Sequence, residues 1–235
     1  MVKDSGARNR ARYTARLLRG DAIPTATTAG LLLGALGLVY MLAVRTVWGQ
    51  KLDAASLGYV TPWRRIIGGL AELANAWLPT MLAAAALGVG IAALWRKNWR
   101  RVLAALLTVA ASSYLSQLLK ISLPRPFLGA HGYVVNTFPS GHASATTALV
   151  IAILLLWPGG PPRGAVVTGA ALVAFGASCT VLTYAHRASD PVGSILLAGA
   201  VSLVVTLALR VPLRPAAEVG YPVSPPRSAR TTWRR

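Results

Sequence analysis

Six stretches of the chain are apolar almost without interruption, at 28–48, 76–95, 102–119, 143–157, 165–184 and 191–209. A bilayer's hydrocarbon core of about 30 Å takes roughly 20 apolar residues as a helix. Lipid offers no partner for a bare N–H or C=O, so runs of this length predict helices that bond internally. The fourth run is the shortest. Between the first two runs, 63–75 mixes Trp63, Arg64, Arg65 and Glu72 with apolar residues, which predicts a segment lying along the outer interface. Gly30 and Gly34, with Gly37 a turn on, predict small-residue packing of the first helix against another. The first run begins far from Met1 and has no small-residue cleavage site after it, so it reads as an uncleaved helix rather than a signal peptide. The expected class is all-α: a polytopic membrane protein built as a six-transmembrane-helix bundle.

Composition agrees with the pattern. Of 235 residues, 54% are hydrophobic, yet 24 Lys+Arg stand against 6 Asp+Glu. That mixture suits a membrane protein with basic edges. A formal net charge of +18 could serve nucleic acid, but the basic residues cluster beside the apolar runs, where anionic lipid is the nearer target. No nucleic-acid partner is expected. An even number of helices puts both termini on one side. If that side is the cytoplasm, it holds every basic residue except Arg45, Lys51, Arg64, Arg65, Lys120, Arg125 and Arg187, as the positive-inside rule requires. The chain then divides into a basic cytoplasmic arm (1–27), a six-helix membrane domain (28–210) and a Pro- and Arg-rich cytoplasmic tail (211–235) expected to be disordered. One cysteine, Cys179, excludes an intrachain disulfide and thiolate zinc sets. Abundant Ala, Gly and Arg point to a GC-rich bacterial genome, and so to the bacterial cell membrane.

The sparse polar residues gather at the outer helix ends: Lys120, Arg125, His131, His142, His186 and Asp190. Ionisable groups at membrane depth are costly and usually mark a cavity or site. In LKISLPRPF, Lys120 and Arg125 flank a proline-stiffened turn and make an anion clamp; alternatively, Lys120 snorkels and Arg125 is solvated. In PSGH, Ser140 is an N-cap or phosphate donor, and Gly141 lets backbone approach a ligand at a helix N-terminus. An ordinary capped helix accounts for the same residues but not for His142. In YAHRASDP, His186 and Asp190 are spaced to share one helix face, as an imidazole and its orienting carboxylate or with Asp190 capping the sixth helix. His131 reads as a loop histidine, with Tyr133 and Phe138 shaping the entrance.

Taken together, these pieces resemble the type 2 phosphatidic acid phosphatase (PAP2) superfamily, six-helix membrane phosphatases whose active sites are akin to those of vanadium haloperoxidases. That pattern has a Lys and an Arg-Pro pair, then Pro-Ser-Gly-His, then Ser-Arg, five residues, His, three residues and Asp. Pro139-Ser140-Gly141-His142 matches fully, and His186 with Asp190 matches the end of the third motif. Two departures stand out. Four residues separate Lys120 from Arg125 where six is commoner, and Cys179 and Thr180 occupy the Ser-Arg positions. Arg187 is the candidate to replace the absent arginine, and Thr180 offers only a neutral hydroxyl.

The resemblance implies a phosphatase needing no metal and no cofactor. His186 would be the nucleophile that becomes a phosphohistidine, Asp190 its orienting acid and His142 the general acid. Lys120, Arg125, Ser140, Gly141, Arg187 and Thr180 would bind phosphate. The expected substrate is a lipid phosphate at the outer membrane face: a polyprenyl diphosphate, phosphatidic acid, phosphatidylglycerol phosphate or polyprenyl-linked sugar phosphate. The alternative, supported by Thr180, is a degenerate noncatalytic member that binds lipid phosphates or assists assembly. A transporter would place ionisable residues in mid-helix, and the apolar runs exclude a soluble haloperoxidase. Oligomeric state is left open.

Overall fold

In a computed structural model of the chain, residues 5–129 and 135–212 are described, with 5–21 described by their backbone alone. His131, Tyr133 and the tail beyond 212 lie outside the described residues. The described chain is all helical: α1 (Ser5–Val39), extended by a π-helical turn (Tyr40–Val44), α2 (Val47–Trp95), α3 (Trp99–Ser122), α4 (Gly141–Leu156), α5 (Arg163–Leu182) and α6 (Ser189–Ala208). Five spans are long and apolar enough to cross a membrane, and α4 is a shorter apolar helix. These are the proportions of a polytopic membrane bundle. We call the end where α3 and α5 finish, and α4 and α6 begin, the upper end.

Helix α4 can be short because it is central. It packs on α2, α3, α5 and α6, and Ala143, Ser144 and the run Thr146 to Val150 are all buried. Small residues let its neighbours come close, as membrane packing demands. A methyl group at Gly169 would sit 2.8 Å from Val150 Cγ1, and one at Gly176 would sit 3.0 Å from Leu78 Cδ2. The glycines singled out from the sequence do not do this. Gly30, Gly34 and Gly37 meet nothing within 4 Å where a side chain would project, because α1 packs on α6 through a different face, with Leu32 against Gly199.

The largest departure from expectation is α2. The segment 63–75 is no separate interfacial element but the middle of one helix of 49 residues, about 73 Å at the usual rise. Its lower part packs in the bundle, and its upper part continues past the end of α5. The α1–α2 corner that starts it is tight: Thr46 caps α2 by accepting the Gly49 N–H at 2.9 Å. A Cβ on Gly49 would lie 1.8 Å from the Leu42 carbonyl oxygen. Gly49→Ala is therefore expected to force the corner open and to lower the thermal midpoint of the detergent-solubilised protein by several degrees, the scale of a lost cap or more. An unchanged midpoint would show that α2 does not dock this way.

Candidate functional site at the upper end

The site begins with the turn between α5 and α6. Tyr184 takes φ 59°, and the His186 N–H donates to the Thr180 carbonyl at 3.1 Å, so the chain doubles back and points the imidazole across the bundle. Asp190 Oδ2 accepts the Arg187 N–H at 3.1 Å and lies 3.0 Å from His186 Nδ1. A carboxylate facing Nδ1 makes that nitrogen the one placed to donate, and leaves Nε2 as the ring nitrogen directed away from Asp190. Asp190 and Arg187 are fully buried, and His186 is only 7% exposed. The Asp190 carboxylate thus reaches back to the turn, to His186 and the Arg187 N–H, rather than to the first N–H groups of α6.

The cap comes from elsewhere. Asp53, on the upper part of α2, accepts the Ser189 N–H at 3.0 Å through Oδ1 and the Ser189 hydroxyl at 2.5 Å through Oδ2. Ser56 accepts the Ala188 N–H at 3.4 Å, the Thr61 and Tyr184 hydroxyls pair, and Arg64 stacks on the Tyr184 ring at 4.4 Å. The continuation of α2 therefore clamps the whole His186 turn. Nothing in KLDAASLG marks Asp53 as more than a loop acid, and the one available signal was scarcity: Asp53, Glu72 and Asp190 are the only carboxylates from 22 to 212.

Arg125 comes from the connection between α3 and α4. Its turn is held by three donors: Tyr40 Oη to Pro124 O at 2.6 Å, Gln50 Nε2 to Pro126 O at 2.9 Å and Asn136 Nδ2 to Leu123 O at 2.9 Å. The guanidinium is 3% exposed, with Nη2 3.7 Å from Asp53 Oδ2. Among the described residues its terminal nitrogens make no hydrogen bond. Burial, and then the like charge of Arg187, pull its pKa below the ordinary value, while Asp190 and Asp53 oppose the shift. Two buried guanidiniums, at Arg125 and Arg187, are therefore close enough to repel. Like charges buried near one another in this way are the kind that an anion would neutralise.

The third wall is the start of α4. Ser140 is its N-cap, accepting the Ala143 N–H at 3.3 Å, and its own N–H donates to the Asp190 carbonyl at 3.2 Å. Ser194 of α6 donates to the Ser140 carbonyl at 2.7 Å, locking α4 to α6. His142 is exposed, within electrostatic range of His186 and Lys120. The first N–H groups of α4 have no helical carbonyl to bond and carry the positive end of the helix dipole.

Three expectations change. The Thr180 hydroxyl, buried in α5, donates to the Ala177 carbonyl at 2.7 Å, so its proton is committed to the helix and is not a phosphate donor. The space beside Gly141 is taken by a side chain: a Cβ there would lie 2.8 Å from Gln117 Nε2, which the sequence did not single out. Phe138 is no entrance residue. It is fully buried with Leu36, Val44, Leu197 and Val201, and a Cβ at Gly193 would lie 2.4 Å from its ring. Lys120, Arg125, Ser140, His142, His186, Arg187 and Asp190 do converge.

The fold and site define a helical protein with membrane-length spans and a cluster of buried cations, histidines and carboxylates at one end of its bundle. Comparison of the chain with protein-family models, curated proteins and solved structures found no match.

Proposed function

We propose that this protein is an integral-membrane phosphatase hydrolysing a lipid phosphomonoester or diphosphate through a phosphohistidine, as the likeness of its motifs to the PAP2 superfamily implies. The observation that carries it is the His186–Asp190 pair at 3.0 Å, set beside the buried cations Arg125 and Arg187. In the first step His186 Nε2 attacks phosphorus and the bond to the leaving oxygen breaks. Protonated His142 gives that oxygen its proton. In the second step His142 takes a proton from water as the water attacks the phosphohistidine. The P–N bond breaks, freeing phosphate and restoring His186. Lys120, Arg125, Arg187 and the α4 N-terminus offset charge on the transferring oxygens. Arg187 stands in for the arginine absent at Thr180.

In this proposal the upper end faces outward and both termini lie in the cytoplasm. In support, Arg96, Lys97, Arg100, Arg101, Arg163 and Arg210 all fall at the lower helix ends. Suitable substrates are a polyprenyl diphosphate, phosphatidic acid, phosphatidylglycerol phosphate or a polyprenyl-linked sugar phosphate.

The chemistry uses no metal. Purified protein in detergent with EDTA is therefore expected to release phosphate from at least one member of such a panel, and Arg187→Ala is expected to lose roughly 10²-fold, the scale of one transition-state donor. Release that EDTA abolishes would defeat the metal-independent mechanism, and a well-folded protein inert on every substrate would defeat the proposal and favour a noncatalytic lipid-phosphate binder.

A further inference from the structure

Below the His186 turn, between α2 and α5, lies an apolar groove of about 630 Å³, walled by Ile67, Leu70 and Trp77 of α2 and Phe175, Cys179 and Leu182 of α5. Every residue lining it is apolar, so an occupant has no hydrogen bonds to satisfy there. Leu70, Trp77 and Phe175 are each more than half exposed, and both helices are long enough to cross a membrane. The groove therefore opens sideways toward lipid. Its top adjoins the turn that bears His186: Leu182 is the last residue of α5, and that turn is the next chain segment. One turn above Ile67, Arg64 stacks on Tyr184 of that same turn. From Leu182 to Phe175 the α5 wall descends about 10 Å at the helical rise.

We infer that this groove seats the hydrocarbon chain of a phosphorylated lipid whose head group is held by the cations above it, an inference that rests on the phosphatase proposal. A chain already in the bilayer gains no hydrophobic energy by entering. What would hold it there is the phosphate, so occupancy depends on the head group, unlike casual contact with bulk lipid. A second copy of the chain or a foreign helix would not make contact with the groove depend on a phosphate. The same helix, α2, carries one wall of the groove and, through Asp53, one wall of the site. Chain position and head-group position are thus both set by α2.

Ala74 lines the groove from α2 and belongs to none of the proposed catalytic residues. With the full-length protein in detergent and short n-alkyl phosphates that stay in the aqueous phase, so that the chain enters the groove from water, KM is expected to fall as the chain lengthens. Ala74→Trp, which fills the groove, is expected to raise the longer-chain KM roughly ten-fold or more, the equivalent of about two methylenes. Turnover of p-nitrophenyl phosphate, which has no chain, is expected to stay unchanged. Identical chain-length dependence in wild type and Ala74→Trp would overturn the inference. If wild type hydrolyses neither class, the phosphatase proposal fails, and photolabelling decides the groove. An alkyl phosphate with a terminal diazirine should label 67–77 and 175–182, and the matched alcohol should not. Label spread over the lipid-facing helices regardless of phosphate would overturn the groove as well.

Discussion

His186→Ala is expected to abolish phosphate release, with a fall on the order of 10⁴-fold or more, since removing a nucleophile from a unit that acts together removes nearly all its catalysis. The fold should tolerate the change. His186 makes its side-chain contact to Asp190, and that carboxylate keeps the Arg187 N–H as a donor. The detergent-solubilised variant should therefore still fold and melt cooperatively, though below wild type because buried Asp190 loses one of its partners, which separates lost chemistry from a lost fold. Rapid quench after mixing with ³²P-labelled substrate should trap acid-labile label on wild type and none on His186→Ala. Release within ten-fold of wild type would place the nucleophile elsewhere.

Asp53→Ala is expected to be the most destabilising single change at the upper end, by about 3–5 kcal/mol, the usual cost of leaving one partner of a buried ion pair unpaired. Two losses coincide there: Arg125 loses its neighbouring charge, and Ser189 loses both acceptors that fasten α6 to α2. Asp53→Asn keeps an acceptor for the Ser189 N–H and should fall between wild type and alanine. Adding Arg125→Met to Asp53→Ala should recover part of the loss, because the stranded guanidinium is gone; the coupling from the four melting curves measures the pair. Additive effects of the two changes, or an Asp53→Ala protein as stable as wild type, would show that α2 does not clamp this end.

Much of the helical layout was legible because hydropathy against a bilayer is a local property. The third, fifth and sixth runs match α3, α5 and α6 to within a few residues. Residues 63–75 misled for a physical reason: Trp63, Arg64, Arg65 and Glu72 among apolar residues look like a segment lying along an interface. The structure resolves them onto one helix whose polar side chains meet the His186 turn while Tyr59, Trp63 and Ile66 stay exposed. Thr180 and Gly141 were judged by their motif positions, but their surroundings are set by Ala177 and Gln117. Phe138 looked like a loop aromatic until α6 supplied a glycine where its ring could lie.

By itself the sequence determined that the chain is helical and apolar enough for a membrane, and that its scarce histidines, cations and carboxylates crowd the helix ends. Those follow from composition and from the order of residues along the chain. Tertiary structure alone decided that Asp53 caps α6 across 136 residues of sequence, that Arg125 comes within 3.7 Å of Asp53, and that α2 both lines an apolar groove and clamps the His186 turn. Such contacts depend on how helices cross and which small residues let them approach, and no local pattern encodes which distant segment will arrive beside it.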